Sequence, residues 1–204
     1  MIAVTALVVA GAVGLFVALH GHTAKASTPA AAPIASETPS TTQDGRDLSQ
    51  ISNDEMETVI AQNPDIVPMR LALVERYLRA ADGETTTDAQ KEQLEKAHFH
   101  AGEALARATN DADQARAMRY LGWTTALLTD PTKGADLIEQ SLAKEPGNPD
   151  ALWFLASVKF DKLNDAAGAK PLLEQLLGEQ VDDGQRQEVQ RLLDKVNAAL
   201  ASSS

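Results

Sequence analysis

The chain has 204 residues, 44% hydrophobic but only 4% aromatic, with a formal net charge of −11 and no cysteine. The acid excess repels phosphate backbones, so no nucleic-acid partner is expected. The missing thiols exclude disulfides, zinc–thiolate sites, thioether haem attachment and cysteine nucleophiles.

Residues 2–19 read IAVTALVVAGAVGLFVAL, an unbroken run without charge. At about 1.5 Å per residue a helix of that length spans roughly 27 Å, close to a bilayer's hydrocarbon core. Two readings fit. Residues 1–20 form a single-pass transmembrane anchor, or they form a signal peptide cleaved near Ala24-Lys25-Ala26. The length of the apolar core and the lack of a basic start favour the anchor. Either reading places the remainder outside the cytoplasm if the N-terminus stays inside, although Lys25 mildly opposes that orientation. Residues 21–50 are rich in Ala, Pro, Ser and Thr and are expected to form a disordered tether.

Helices follow from residue 51 to the C-terminus. Ser52 and Glu55 form a capping box ahead of Met56, Val59 and Ile60, and Asn63-Pro64 stops that helix. Pro68 opens the next, lined by Leu71, Val74 and Tyr77 or Leu78, and Gly83 closes it. Further helices are expected over about 88–108, 113–128, 131–144, 149–163, 166–177 and 184–199. Pro171 is expected to kink or delay its helix. No alternating strand pattern occurs, so the fold class is all-α.

Two successive segments match without a gap. Ala117 pairs with Ala151, Leu121 with Leu155, Gly122 with Ala156, Gly134 with Gly168, Ile138 with Leu172 and Leu142 with Leu176. Small residues recur where helices must touch, and large aliphatics recur where a core must be filled. The constant offset between the paired numbers is the tetratricopeptide period. It predicts a helical-hairpin solenoid over 51–204: a degenerate repeat at about 66–114, repeats at 115–148 and 149–181, and a capping helix at 184–200. The pattern's Trp and first-helix Tyr are absent from the 117 and 151 repeats, and Thr125 and Lys159 take the Tyr place.

The segment NPDALWFLASVKFDKLNDAAGAKPLLEQLL, with EMETVIAQNPDIVPMRLALVERYLRAADG before it, resembles the tetratricopeptide proteins of bacterial cytochrome c maturation. The resemblance implies an extracytoplasmic chaperone that holds unfolded apocytochrome c, capturing its C-terminal helix in a groove.

In such stacks the first helix of each pair lines the concave side. Leu152, Leu155 and Ala156 account for the packing side of the 149–163 helix, so at least one of Trp153 and Phe154 is expected in an open groove, with Ser157 and Phe160 beyond. Arg119, Tyr120 and Trp123 occupy equivalent or adjacent places one repeat earlier. Exposed aromatics with Arg suit a peptide partner with an apolar or amphipathic helix. The alternative is that Trp123 and Phe154 pack between repeats and the others are partly covered by the C-terminal helix. Asp150 and Phe154 stand where a carboxylate clamp would need cations, so a partner's C-terminal carboxylate is not the expected handle.

No catalytic residue, metal or cofactor is expected. His98 and His100 point about 200° apart on a helix and are expected to be solvated. Asp182-Asp183-Gly184 reads as a turn and helix start, since the alternating ligands of a calcium loop are missing. The expected function is a membrane scaffold or chaperone for a polypeptide. A structural subunit of a larger membrane complex is the other reading.

Overall fold

The computed structural model describes residues 50–202. The expected anchor over 1–20 and nearly all of the tether over 21–50 lie outside them. Among the described residues the chain is all-helical, and no helix is long and apolar enough to cross a membrane.

Eight helices follow one another within the described residues: α1 (Asn53–Gln62), α2 (Val67–Gly83), α3 (Thr87–Arg107), α4 (Asp111–Leu128), α5 (Pro131–Lys144), α6 (Pro149–Ser157), α7 (Ala166–Gly178) and α8 (Asp183–Ser202). A π-helical segment, Val158–Lys162, continues α6.

Short polar side chains start most of these helices by accepting the otherwise orphaned amides of the first turn. Ser52 accepts from Glu55, Thr86 from Ala89, Asn110 from Asp113, Asn148 from Ala151 and Asp165 from Gly168. Asp130 accepts from both Thr132 and Lys133. Asp182 and Gln185 bond reciprocally, the Asp182 carboxylate accepting the Gln185 amide at 2.9 Å and the Gln185 side chain accepting the Asp182 amide at 3.2 Å. The Asp182-Asp183-Gly184 stretch is therefore a helix start. Asn110 begins α4 slightly earlier than hydrophobic spacing predicts. α7 runs through Pro171 rather than starting after it.

α2–α3, α4–α5 and α6–α7 are antiparallel hairpins laid side by side. Every substantial helix–helix contact among the described residues joins elements one or two apart in chain order. α2 touches α4, and α4 touches α6, so the first helices of successive hairpins stack on one another. The core is continuous along this stack. Met56 and Ile60 of α1 enter it at one end, and Val189, Leu192, Leu193 and Val196 of α8 at the other.

The α4–α5 hairpin closes through glycine. A Cβ on Gly134 would stand 2.5 Å from Ala126 Cβ and 2.6 Å from the Gly122 carbonyl oxygen. Only hydrogen fits there, which lets the two backbones meet. The α6–α7 hairpin is built differently. Phe160 stands one full repeat after Ala126, in the π segment, and is partly exposed. The first atoms that a Cβ on Gly168 would meet belong to the capping carboxylate of Asp165.

The gapless period is thus corrected. Buried residues of α6 follow those of α4 at the repeat spacing, as in Ala117/Ala151 and Gly122/Ala156. Buried residues of α7 follow those of α5 one position later than that: Gly134/Ala169, Ile138/Leu173 and Ser141/Leu176. The π segment absorbs the extra residue. Leu163 N–H bonds to the Val158 carbonyl at 3.1 Å, an i→i+5 bond, and Asn164 follows at φ 53 in the left-handed region, where Asn is among the better-tolerated side chains.

Candidate binding face

The first helices α2, α4 and α6 present one shared face. Along α4 it carries Arg116, Arg119, Tyr120 and Trp123 at i, i+3, i+4 and i+7, which places them on one side of the helix. The matching positions of α6, one repeat on, are Asp150, Trp153, Phe154 and Ser157.

Of the seven residues singled out in sequence, Arg119, Tyr120, Trp123 and Phe154 touch one another here, but not as an open groove. Arg119, Tyr120, Trp123, Trp153, Phe154 and Ser157 are each between 1% and 5% exposed, and Phe160 alone is partly exposed. The expectation that Trp153 or Phe154 stands free in solvent is therefore corrected. The cause is packing between hairpins. The Phe154 ring stacks on Trp123 at 4.6 Å and 13°, and tilts against Tyr120 at 6.4 Å. Aromatic pairs at this separation add about 0.5–1.5 kcal/mol beyond the area they bury. Trp123 and Phe154 thus pack between repeats, the alternative arrangement that the sequence allows.

Charged side chains knit the same seam. The Glu75 carboxylate of α2 accepts from the Arg116 guanidinium and, at 2.7 Å, from the Tyr120 hydroxyl. Burial pushes the Glu75 carboxyl up, but the Arg116 charge and hydrogen bond, the Tyr120 hydroxyl and the Arg119 charge outweigh it and hold the group below the usual range. The Tyr120 phenol is pushed up, first by burial and then by the Glu75 charge. The contacts of Arg119 are longer: it lies 3.5 Å from Glu145, at the end of α5, and 3.7 Å from Asp150 of α6. Glu75 and Arg116 escape sequence reasoning because partners so distant along the chain leave no local signal.

Three polar atoms of this face are buried without a hydrogen-bond partner: Arg119 Nε, Trp123 Nε1 and Ser157 Oγ. Such atoms are uncommon, since an unpaired buried polar group costs about 1–3 kcal/mol.

A second polar cluster pins α1 to the α2–α3 hairpin. Glu57 of α1 accepts from the Tyr77 hydroxyl at 2.9 Å and lies 2.8 Å from His100 Nε2. His100 is buried, which corrects the expectation of a solvated side chain, while His98 is partly exposed and its Nδ1 lies 3.1 Å from the Thr124 hydroxyl. Glu103 turns to Arg107 and Arg70 rather than to either histidine. Among the described residues no three carboxylates and histidines converge as a metal site.

No protein-family model, curated protein or solved structure matches this chain.

Proposed function

We propose that the chain is a tetratricopeptide-type scaffold, anchored in a membrane through residues 1–20, that holds a polypeptide partner on the face shared by α2, α4 and α6. The carrying observation is that face: equivalent positions of two successive first helices gather Arg119, Tyr120, Trp123, Trp153 and Phe154, and two of the N–H donors there are buried without an acceptor. Arg, Tyr and Trp supply most of the binding energy at interfaces. Their burial in the free chain makes engagement depend on a shift of the Trp123–Phe154 stack. The cytochrome-maturation resemblance names the partner as apocytochrome c, met on the extracytoplasmic side. The role is non-enzymatic.

Recovery of partners from membranes with full-length wild type and with Tyr120→Ala and Trp153→Ala variants tests the reading. Reduced recovery, with helical circular dichroism retained, supports it. Unchanged recovery removes the face assignment. The burial of the aromatics favours a second reading, a structural subunit held permanently in a larger complex. Size-exclusion chromatography in detergent separates the two. A stable stoichiometric complex points to the subunit, and a lone protomer that binds an added apocytochrome peptide points to the scaffold.

A further inference from the structure

The two ends of the stack are closed unequally, by α1 with 10 residues and by α8 with 20. α8 buries Val189, Leu192, Leu193 and Val196, whereas α1 buries Met56 and Ile60, with Ile51 just before it. The substantial contacts of α1 among the described residues are with α2, and it reaches α3 through side chains. A helix this short is marginal in water by itself, so α1 stays helical by being docked.

Polar side chains decide where it can part. Arg70 of α2, itself buried, donates from Nε to the Pro64 carbonyl at 2.9 Å, and Arg107 of α3 lies 3.4 Å from Asp65. The turn after α1 is thereby fastened to the hairpin, and Asn63, at φ −135 and ψ 78, is the joint between helix and turn. Before α1, Arg76 donates to the Ile51 carbonyl and, at 3.0 Å, to the Asn53 side chain. Between these ends one carboxylate spans both helices of the hairpin: Glu57 accepts from Tyr77 of α2 and from His100 of α3.

Closure also strands an atom. A carboxylate only accepts, so His100 turns an Nε2–H to Glu57 and keeps Nδ1 buried without a partner. Water reaching Nδ1 restores the missing hydrogen bond, so this ring favours opening while Glu57 favours closure.

We propose that α1 is a hinged strap. It leaves the α2–α3 hairpin as a unit about Asn63 while the stack stays folded, and the Glu57 bridge holds it shut. Opening uncovers Tyr77 and His100. It also lengthens the link from residue 50 to the hairpins, because the 10 residues span about 15 Å as helix and up to roughly 35 Å extended. The strap opens whether or not residues 1–20 lie in a membrane.

The test is native-state hydrogen exchange on the full chain in detergent. Val59, Ile60 and Ala61 are expected to share one protection factor, at least a hundredfold below that of Ile138 in α5. Glu57→Gln lowers protection in α1 about tenfold, the size expected on losing a charged acceptor, and leaves Ile138 unchanged. Diethyl pyrocarbonate, which acylates imidazole, labels His100 through the same opening. Its rate at His100 also rises about tenfold in Glu57→Gln, while the rate at partly exposed His98 stays the same. Equal protection in α1 and α5 of the wild type overturns the strap, since α1 then opens only with the whole stack. So does a Glu57→Gln variant in which both helices lose protection equally, or in which neither α1 exchange nor His100 labelling changes.

Discussion

The hairpins α4–α5 and α6–α7 share most of a repeat's small and large positions, yet they close in different ways. In the first, Gly122, Ala126 and Gly134 leave no room for a further carbon between the backbones. In the second, Ala156, Phe160 and Ala169 stand at the corresponding places. A phenyl ring cannot sit where the Ala126 methyl touches Gly134, and the π segment carries Phe160 out of that crossing. The extra residue then shifts every buried position of α7 by one. A period in the letters is therefore not a period in space. One bulky residue at a helix crossing is enough to break it.

The sharpest way to break this comparison is Ala126→Phe, which places in α4 the residue that α6 diverts. A ring forced against Gly134 should cost about 3 kcal/mol or more, at the upper end for overpacking, unless α4 adopts a π segment of its own. Urea unfolding measures the loss, and amide exchange around Leu127–Leu128 would reveal a new π turn.

The seams between hairpins differ in the same spirit, tight at Glu75–Arg116 and loose at Arg119–Asp150. Glu75→Gln strips Arg116 and Tyr120 of their charged acceptor and should cost about 2 kcal/mol at pH 7. Asp150→Asn should cost less than about 1 kcal/mol. The pH dependence follows from the depressed Glu75 carboxyl. Its stabilisation is complete above the unfolded value of about 4.3 and is lost as pH falls through the lower folded value. The gap between wild type and Glu75→Gln in urea midpoints should therefore shrink below about pH 4 and close under acid.

Gly134→Ala adds one methyl at the closed crossing and should cost about 1–2 kcal/mol net, since overpacking exceeds the helix-propensity gain of about 1 kcal/mol. Gly168→Ala meets only a movable carboxylate first and should change stability by less than about 1 kcal/mol, largely by disturbing the Asp165 cap. Equal effects at the two glycines would refute the distinction between the hairpins.

The smallest effect is expected from Phe160→Ala. The ring is only partly buried against the core, so its loss should cost under about 1 kcal/mol. If the ring alone enforces the π turn, the Leu163 amide should lose its bond to Val158, and hydrogen exchange at that position would change.

Local chemistry was legible in the sequence wherever a few neighbouring residues decide the outcome. Ser52-Glu55, Asn63-Pro64, Gly83 and Asp130-Pro131 mark helix ends that the structure keeps. The stripes Met56/Ile60, Leu71/Val74/Leu78 and Val189/Leu192/Leu193/Val196 are buried as their spacing requires. The π segment was not legible, because the crossing that would exclude the Phe160 ring involves a helix still to come in the chain. The candidate site was half legible. The repeat spacing put Arg119, Tyr120, Trp123 and Phe154 within reach of one another, but their exposure depends on which rings stack between hairpins. The ionic ties from α2 to α4 and the burial of His100 against Glu57 join side chains on different helices, far apart along the chain. Helical periodicity does not reach that far.

Among the described residues each helix makes its substantial contacts with its nearest and second-nearest neighbours, and that arrangement sets how the domain answers force. Tension applied between Gln50 and Ser202 loads the hairpins in series, like coils of a spring, and draws on a core that is continuous along the stack. The stack should lengthen by small rotations at each junction, yielding first where Arg119 reaches loosely for its carboxylates, and recoil when the load is released.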